Sequence, residues 1–139
     1  MTKKILAAIF SVAILFSTFG CSTTLDDTRA AKGTGVSRIY TASQDAIWKA
    51  VPSVLAELGL QLVSENKQEG YILAQNARTL LSGENVAIFI ESAGGVIKTR
   101  VEVISKKMNI TNVLDIYAPS WEDDILNKLD EKLKLKTKS

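Results

Sequence analysis

Two stretches of the chain carry apolar residues at the three-and-four spacing of an amphipathic helix. The first follows Ser43, a residue type that caps helix N-termini, and stops before Gly59. Pro52 lies inside this stretch and is expected to kink the helix or to delay its regular start. The second follows Ser120, with Asp123 in the third position of a start that resembles a capping box. The apolar positions are Ile47, Trp48, Val51, Val54, Leu55 and Leu58 in the first helix, and Trp121, Ile125, Leu126, Leu129 and Leu133 in the second.

Short runs of β-forming residues, separated by turn residues, predict five strands. The runs are 36–40, 60–65, 71–75, 86–91 and 96–104, and the turns between the later ones are 66–70, 82–85 and 93–95. In the last run Lys98, Arg100 and Glu102 alternate with apolar or β-branched residues, which predicts a half-buried antiparallel edge or meander strand. The order β-α-β-β-β-β-α predicts an α+β fold, an antiparallel sheet with two helices packed on one face.

The start of the sequence has a different pattern. A pair of lysines precedes the stretch Ile5–Gly20, which contains no charge. This is the pattern of a secretory signal. The run is shorter than the roughly 20 apolar residues that a membrane-spanning helix needs, and no basic cluster follows Cys21. We predict a cleaved signal over residues 1–20, with an uncleaved membrane anchor as the alternative.

Cys21 is the sole cysteine and therefore cannot form an internal disulfide. With Gly20 before it, directly after the apolar run, it resembles the lipobox of bacterial lipoproteins. The resemblance implies cleavage between Gly20 and Cys21, diacylation of the thiol and acylation of the new amino group, and several acyl chains give lasting membrane attachment. Thr18 and Phe19 stand where lipoboxes usually carry Leu and a small residue. Ser22 is not Asp, which by the Gram-negative sorting rule implies the outer membrane, facing the periplasm.

After Cys21 the residues are small, polar and of mixed charge, which predicts a lipidated flexible tether over 21–35. A single α+β domain with a short basic C-terminal tail is expected over 36–139. Two glycines at 33 and 35 precede a strand instead of following one, so they do not match a dinucleotide-binding loop.

The domain and the lipobox together resemble a group of small bacterial lipoproteins without assigned activity, from Arg38 to Leu133. The part that runs helix, Gly, strand, turn, Gly is also similar to the repeated domains found in one lipoprotein of the outer-membrane β-barrel assembly machine. Neither resemblance implies a catalytic residue.

Charge and composition limit the function classes. The chain has 17 basic and 15 acidic residues, and removing the signal with its two lysines leaves a net charge near zero. This argues against a nucleic-acid binder. The sequence has no histidine, which removes the Ser-His-Asp and Cys-His arrangements and the His-containing zinc sites. We therefore predict no enzyme, no cofactor and no metal site; a Ser105–Lys106 dyad stays open in principle but matches no motif.

The remaining polar clusters have a structural and a functional interpretation. Glu122, Asp123 and Asp124 complement the dipole of the second helix, whereas a cation site would need further oxygen ligands. A basic group closes the chain, either as a solvated helix end or as a contact with anionic lipid or cell-wall polymer; it comprises Lys128, Lys132, Lys134, Lys136 and Lys138.

The aromatic residues have the same two interpretations. Trp48 and Trp121 are expected in the core, with a peptide groove as the alternative. Tyr71, Phe89 and Tyr117 show no grouping into a stacking platform.

These observations predict a lipid-anchored, non-catalytic binding or scaffold module of the cell envelope, with outer-membrane assembly or maintenance as one setting that fits. Its partner would be an envelope protein or the cell wall, contacted through a sheet face or edge that includes Lys98, Arg100 and Glu102. An ordinary solvated face is the other interpretation of these three residues. The alternative function is a ligand carrier or enzyme with a pocket between helices and sheet.

Overall fold

The fold is α+β, as predicted, and contains a five-stranded antiparallel sheet with three helices. The structure, a computed structural model, describes residues 24–79, 82–95, 97–107 and 121–137. The elements in chain order are α1 (Leu25–Ala30), β1 (Val36–Tyr40), α2 (Gln44–Glu57), β2 (Gln61–Asn66), β3 (Tyr71–Thr79), β4 (Ser82–Ser92), β5 (Thr99–Lys107) and α3 (Trp121–Thr137).

The strands are arranged in the order β1-β5-β4-β3-β2, and each neighbouring pair is antiparallel. Strands β2 to β5 form a meander, and β1 is added beside the last strand of that meander. Strand β5, which was expected at an edge or in a meander, belongs to the meander, and β1 on its other side makes it an interior strand. The two edges of the sheet are β1 and β2.

Helices α2 and α3 bury their apolar stripes together with one face of the sheet. The N-cap of α2 is Ser43, whose hydroxyl accepts a hydrogen bond from the Ala46 amide at 3.2 Å, and the helix continues through Pro52. Gly59 follows the helix with a φ of 74°, in the left-handed region that glycine adopts easily. Trp48 and Trp121 are both buried in this core, as predicted.

The β3–β4 hairpin differs from the prediction. The turn expected at 82–85 belongs to β4, where Asn85 lies opposite Gln75. The Gln75 side-chain amide donates to the Asn85 side-chain oxygen at 2.9 Å, and this pairing accommodates polar residues inside the strands. Likewise β5 begins at Thr99, three residues after the expected start, and leaves Ile97 exposed.

The second face of the sheet is covered by residues 24–35, here called the 24–35 segment. The prediction of a flexible tether is wrong from Thr24 onward. A reciprocal capping box starts α1, since the Thr24 hydroxyl accepts from the Asp27 amide at 3.1 Å and the Asp27 carboxylate accepts from the Thr24 amide at 2.8 Å. Leu25 and Ala31 pack against a second apolar cluster. That cluster consists of Tyr71, Leu73, Ala87, Phe89 and Ile104.

Several predictions concern residues outside the described part of the chain. They are the signal over 1–20, Gly20, Cys21, Ser120 and Tyr117. None of the helices among the described residues combines the length and the apolar composition needed to span a membrane.

A salt-bridge cluster joins the end of α2 to α3. The Glu57 carboxylate lies 3.3 Å from the Lys128 ammonium and also pairs with Lys132. The hydrogen bond from Lys132, followed by that from Lys128, lowers the pKa of Glu57. This contact gives two of the predicted tail lysines a role within the fold.

We expect this cluster to make stability depend on pH. Because the pKa of Glu57 is lower in the folded protein than its ordinary value of 4.5, its contribution is present above pH 4.5 and is lost as the pH falls through the folded value. A Glu57→Gln variant should therefore lose less stability than the wild type on acidification below that pH. Urea unfolding at a series of pH values measures this. Parallel curves, or the same flattening in Glu65→Gln on an exposed strand, would contradict it.

Candidate functional site

The two edges of the sheet differ in how open they are to another strand. Strand β2 carries a register shift between Leu62 and Ser64 and an exposed carboxylate at Glu65. Bulges and charges of this kind protect edges against further pairing. Strand β1 pairs residue for residue with β5 from Val36 to Tyr40, without a shift, and none of the described residues pairs with its outer side. Among the described strands, we identify β1 as the open edge.

Side-chain hydrogen bonds to α3 hold β1 in place. The Tyr40 hydroxyl donates to the Leu126 carbonyl at 3.1 Å, and the Arg38 guanidinium donates to Asp130 at 2.7 Å and to Asn127 at 3.2 Å. Burial raises the pKa of Tyr40, which keeps its hydroxyl protonated and able to donate. The open edge is therefore a fixed template whose strand does not have to be ordered when a partner binds.

Strand β1 also exposes apolar side chains. Ile39 is 64% exposed and Val36 is 43% exposed. Because they are three positions apart on a strand, they lie on opposite faces of the sheet. Ile97, two residues before the strand position that pairs with Tyr40, is 60% exposed. Exposed apolar side chains beside an unpaired backbone edge are the features that strand addition uses.

The three residues predicted to face a partner are not equivalent. Lys98 is exposed, and its carbonyl accepts from the Ala93 amide at 2.9 Å, which closes the β4–β5 loop. Arg100 lies opposite Ile39 in the β1–β5 register, and its guanidinium is 3.4 Å from the Ser37 hydroxyl. Arg100 is thus the predicted residue that lies next to the open edge.

Glu102 is buried, only 2% exposed, and does not face a partner. Its carboxylate accepts from the Gly33 amide at 2.7 Å and from the Gly35 amide at 3.0 Å, and lies 3.7 Å from Arg100. The prediction failed because the 24–35 segment covers the face that the alternating pattern had marked as solvated.

The side chains of Ser105 and Lys106 lie on opposite faces of the sheet. The Ser105 hydroxyl donates to the Glu122 carboxylate at 3.0 Å on the face covered by α3, whereas the Lys106 ammonium donates to the Asp27 carbonyl at 3.3 Å on the other face. Neighbouring residues of a strand point to opposite faces. The sequence neighbours that could have formed a dyad are therefore not brought together.

The three acidic residues at the start of α3 have different surroundings. Glu122 accepts hydrogen bonds from the amide and hydroxyl of Ser105, at 2.8 and 3.0 Å, while Asp123 and Asp124 are exposed in the first turn. In the described residues no group of three acidic, cysteine or histidine side chains is arranged to hold a metal ion. Of the other tail lysines, Lys134 is exposed, and the side chains of 136 and 138 lie outside the described part.

Among the described residues, apolar side chains of α2, α3 and the sheet pack together in the region between helices and sheet, where a ligand pocket was the alternative prediction. The largest of those that are fully buried there are Ile47, Leu55, Ile72, Ile88, Ile125, Leu126 and Leu129.

Sequence reasoning missed a cluster of rings and cations on the second face. Tyr71 and Phe89 lie opposite each other on β3 and β4, with ring centroids 6.5 Å apart. The Arg29 guanidinium is 5.4 Å from the Tyr71 ring centroid, and the Lys32 ammonium is 5.3 Å from that of Phe89. The strand register is the signal that would have grouped the two rings, and the two cations come from the segment that was expected to be a tether.

Comparison with protein-family models finds no match to this chain, and a search of curated proteins finds no match either.

Proposed function

We propose that the chain is a lipoprotein of the cell envelope, attached through acylated Cys21, whose folded part binds an extended segment of an envelope protein along β1. The observation that carries the binding proposal is the open β1 edge with its exposed Ile39. The proposed role is non-catalytic, and outer-membrane assembly or maintenance is the setting it fits.

The geometry of β1 supports binding by strand addition. An incoming strand would hydrogen-bond to the backbone on the outer side of β1 and become the sixth strand of the sheet. Its alternate side chains would lie beside Ile39 on one face and Val36 on the other. These two neighbours favour a segment with apolar residues facing both sides, flanked by polar residues.

The position of Cys21 supports the anchor. It follows an uncharged apolar run and stands three residues before Thr24, where the described fold begins. Acyl chains at that position would hold the domain at the membrane surface, where an envelope protein would present an extended segment.

Photo-crosslinking tests where a partner binds. A photoreactive amino acid in place of Ile39 should give a discrete crosslinked product on native membranes. The same amino acid in place of Val63, an exposed apolar residue of the bulged β2 edge, is the matched control and should give none. Equal products at both positions, or none at position 39, would refute the β1 proposal.

Intact mass of the protein extracted from membranes tests the anchor separately. The wild type should have lost residues 1–20 and gained acyl mass, and a Cys21→Ser variant should show neither change. An unmodified wild-type mass would refute lipidation while leaving the crosslinking result to decide on binding.

A further inference from the structure

We propose that the 24–35 segment is a detachable part of the fold. When bound it covers the second face of its own sheet, and when released it becomes a tether between membrane and domain. The detachment is a property of the fold alone, whereas its effect on distance from the membrane rests on the proposed acylation of Cys21.

One carboxylate supplies the central polar attachment of the 24–35 segment. Glu102, in the middle of β5, accepts hydrogen bonds from the backbone amides of Gly33 and Gly35. Both amides donate to the same carboxylate oxygen, and hydrogen bonds to a carboxylate are stronger than those to a neutral oxygen. Weakening the two hydrogen bonds that Glu102 accepts should therefore weaken the attachment of the whole segment.

The rest of the attachment consists of a short helix and separate side-chain contacts. Helix α1 has six residues, and helices this short are not stable in isolation. Its apolar contacts with the second cluster come from Leu25 and Ala31, and Thr28 is fully buried. The segment's polar contacts also include the Lys32–Glu91 salt bridge, the hydrogen bond from Arg29 to the Tyr71 hydroxyl at 3.1 Å and the one from Lys106 to the Asp27 carbonyl at 3.3 Å. Arg29 and Lys32 also lie over the rings of Tyr71 and Phe89. A short element held by few apolar contacts opens locally at a lower free energy than the central strands.

The face beneath the 24–35 segment is apolar. Tyr71, Leu73 and Phe89 are buried there together with two residues of similar character, Ala87 and Ile104. Release would expose these five neighbouring side chains as one apolar patch. The occupant of this face in the closed state is the chain's own segment.

Release would also change how far the domain reaches from the membrane. With the 24–35 segment bound, Cys21 is three residues from Thr24, a span of at most about 10 Å. With it released, Val36 is the fifteenth residue after Cys21, a span of up to about 50 Å. One local opening would thus both uncover a face and extend the reach of the β1 edge.

Hydrogen exchange of the protein purified from membranes tests the detachment. Peptides covering the 24–35 segment should exchange at least about tenfold faster than those of β4 and β5. A Glu102→Gln variant, which keeps the shape and removes the charge, should speed exchange of the segment about tenfold further and leave α2 and α3 unchanged. Exchange of the segment at the rate of the central strands, or a uniform increase across the chain in Glu102→Gln, would overturn the proposal.

A second pair of variants tests detachment without changing Glu102. Lys32 lies over the Phe89 ring and Lys67 lies over the Trp48 ring, at 5.3 and 5.7 Å from the centroids. Lys32→Ala should speed exchange only in the 24–35 segment. Lys67→Ala, the matched loss of a cation–ring contact on the other side of the sheet, should leave the segment unchanged. The same response in both variants would count against detachment.

Fluorescence transfer to labelled lipid in vesicles tests the tether. A dye on Lys98→Cys should lie farther from the bilayer in the Glu102→Gln background than with Glu102 present. An unchanged distance, despite faster exchange, would overturn the tether role. If the protein does not bind vesicles at all, the proposed anchor and the tether role both fail, and hydrogen exchange still decides detachment.

Discussion

An Ile125→Ala variant is expected to unfold with a free energy about 2–5 kcal/mol below that of the wild type. Ile125 is fully buried in α3 and belongs to the core that α2, α3 and the sheet share. Truncation removes buried methyl groups and leaves a cavity among side chains that cannot collapse fully. Chemical unfolding followed by tryptophan fluorescence measures the effect, since Trp48 and Trp121 lie in the same core.

Lys134→Ala, at an exposed position of the same helix, is the matched control and should change stability by less than about 0.5 kcal/mol. An Ile125→Ala variant as stable as Lys134→Ala would mean that α3 is not packed on the sheet as described. The β1 edge would then lose its support, because its hydrogen bonds through Arg38 and Tyr40 end on that helix.

Gly35→Ala is expected to lower the free energy of unfolding by about 2–3 kcal/mol, through overpacking. A Cβ atom at this position would lie 2.2 Å from the Val103 carbonyl oxygen and 2.5 Å from a side-chain carbon of Ile104. The first of these neighbours is backbone within the interior strand β5, so it cannot move aside without disturbing the β1–β5 pairing. Urea unfolding gives the stability, and hydrogen exchange should show the 24–35 segment opening more often.

Comparing Gly33→Ala with Gly35→Ala separates the effect of backbone strain from the effect of steric overlap. Gly33 has a φ of 92°, and no atom of the described residues lies within 4 Å of the place that a Cβ would take. Alanine there therefore meets only the strain of left-handed backbone, about 1 kcal/mol. Gly35→Ala should be the more damaging change. The reverse order would show that the close approach of Gly35 to β5 is not a constraint on the fold.

The two long helices and most strand positions could be predicted because their signals are local. The stripe from Ile47 to Leu58 and the one that begins at Trp121 each bury one helical face, and periodicity reports that directly. The turn glycines at 59, 94 and 95 all have positive φ values, consistent with their prediction as ends of elements.

The role of the N-terminal segment could not be predicted from periodicity. Its one large apolar residue is Leu25, and a six-residue helix is too short to show a stripe. The spacing of Thr24 and Asp27 was the available signal, since it is that of a capping box without Glu at the third position. Because this segment was not predicted to cover the sheet, Glu102 was placed on an exposed face, either as a partner contact or as a solvated residue.

The identity of the open edge depends on pairing between distant parts of the chain. Local patterns predict that 36–40 and 99–107 are strands, but not that they are neighbours. Once Val36 pairs with Val103, β5 becomes interior and β1 becomes the edge. The candidate site moved from Lys98, Arg100 and Glu102 to Ile39 for this reason, and only Arg100 stays beside it.

The same pairing sets an order for folding. Strands β2 to β5 join through short connections, whereas β1 closes a loop of roughly sixty residues when it meets β5. Loop closure costs more entropy as the loop grows, and nonlocal pairings form late. We expect the four-strand meander to form first and β1 to join it last, although β1 emerges first from the export machinery under the proposed sorting. Until then β5 is itself an unprotected edge. The first of the described strands, β1, therefore completes the sheet by pairing with β5.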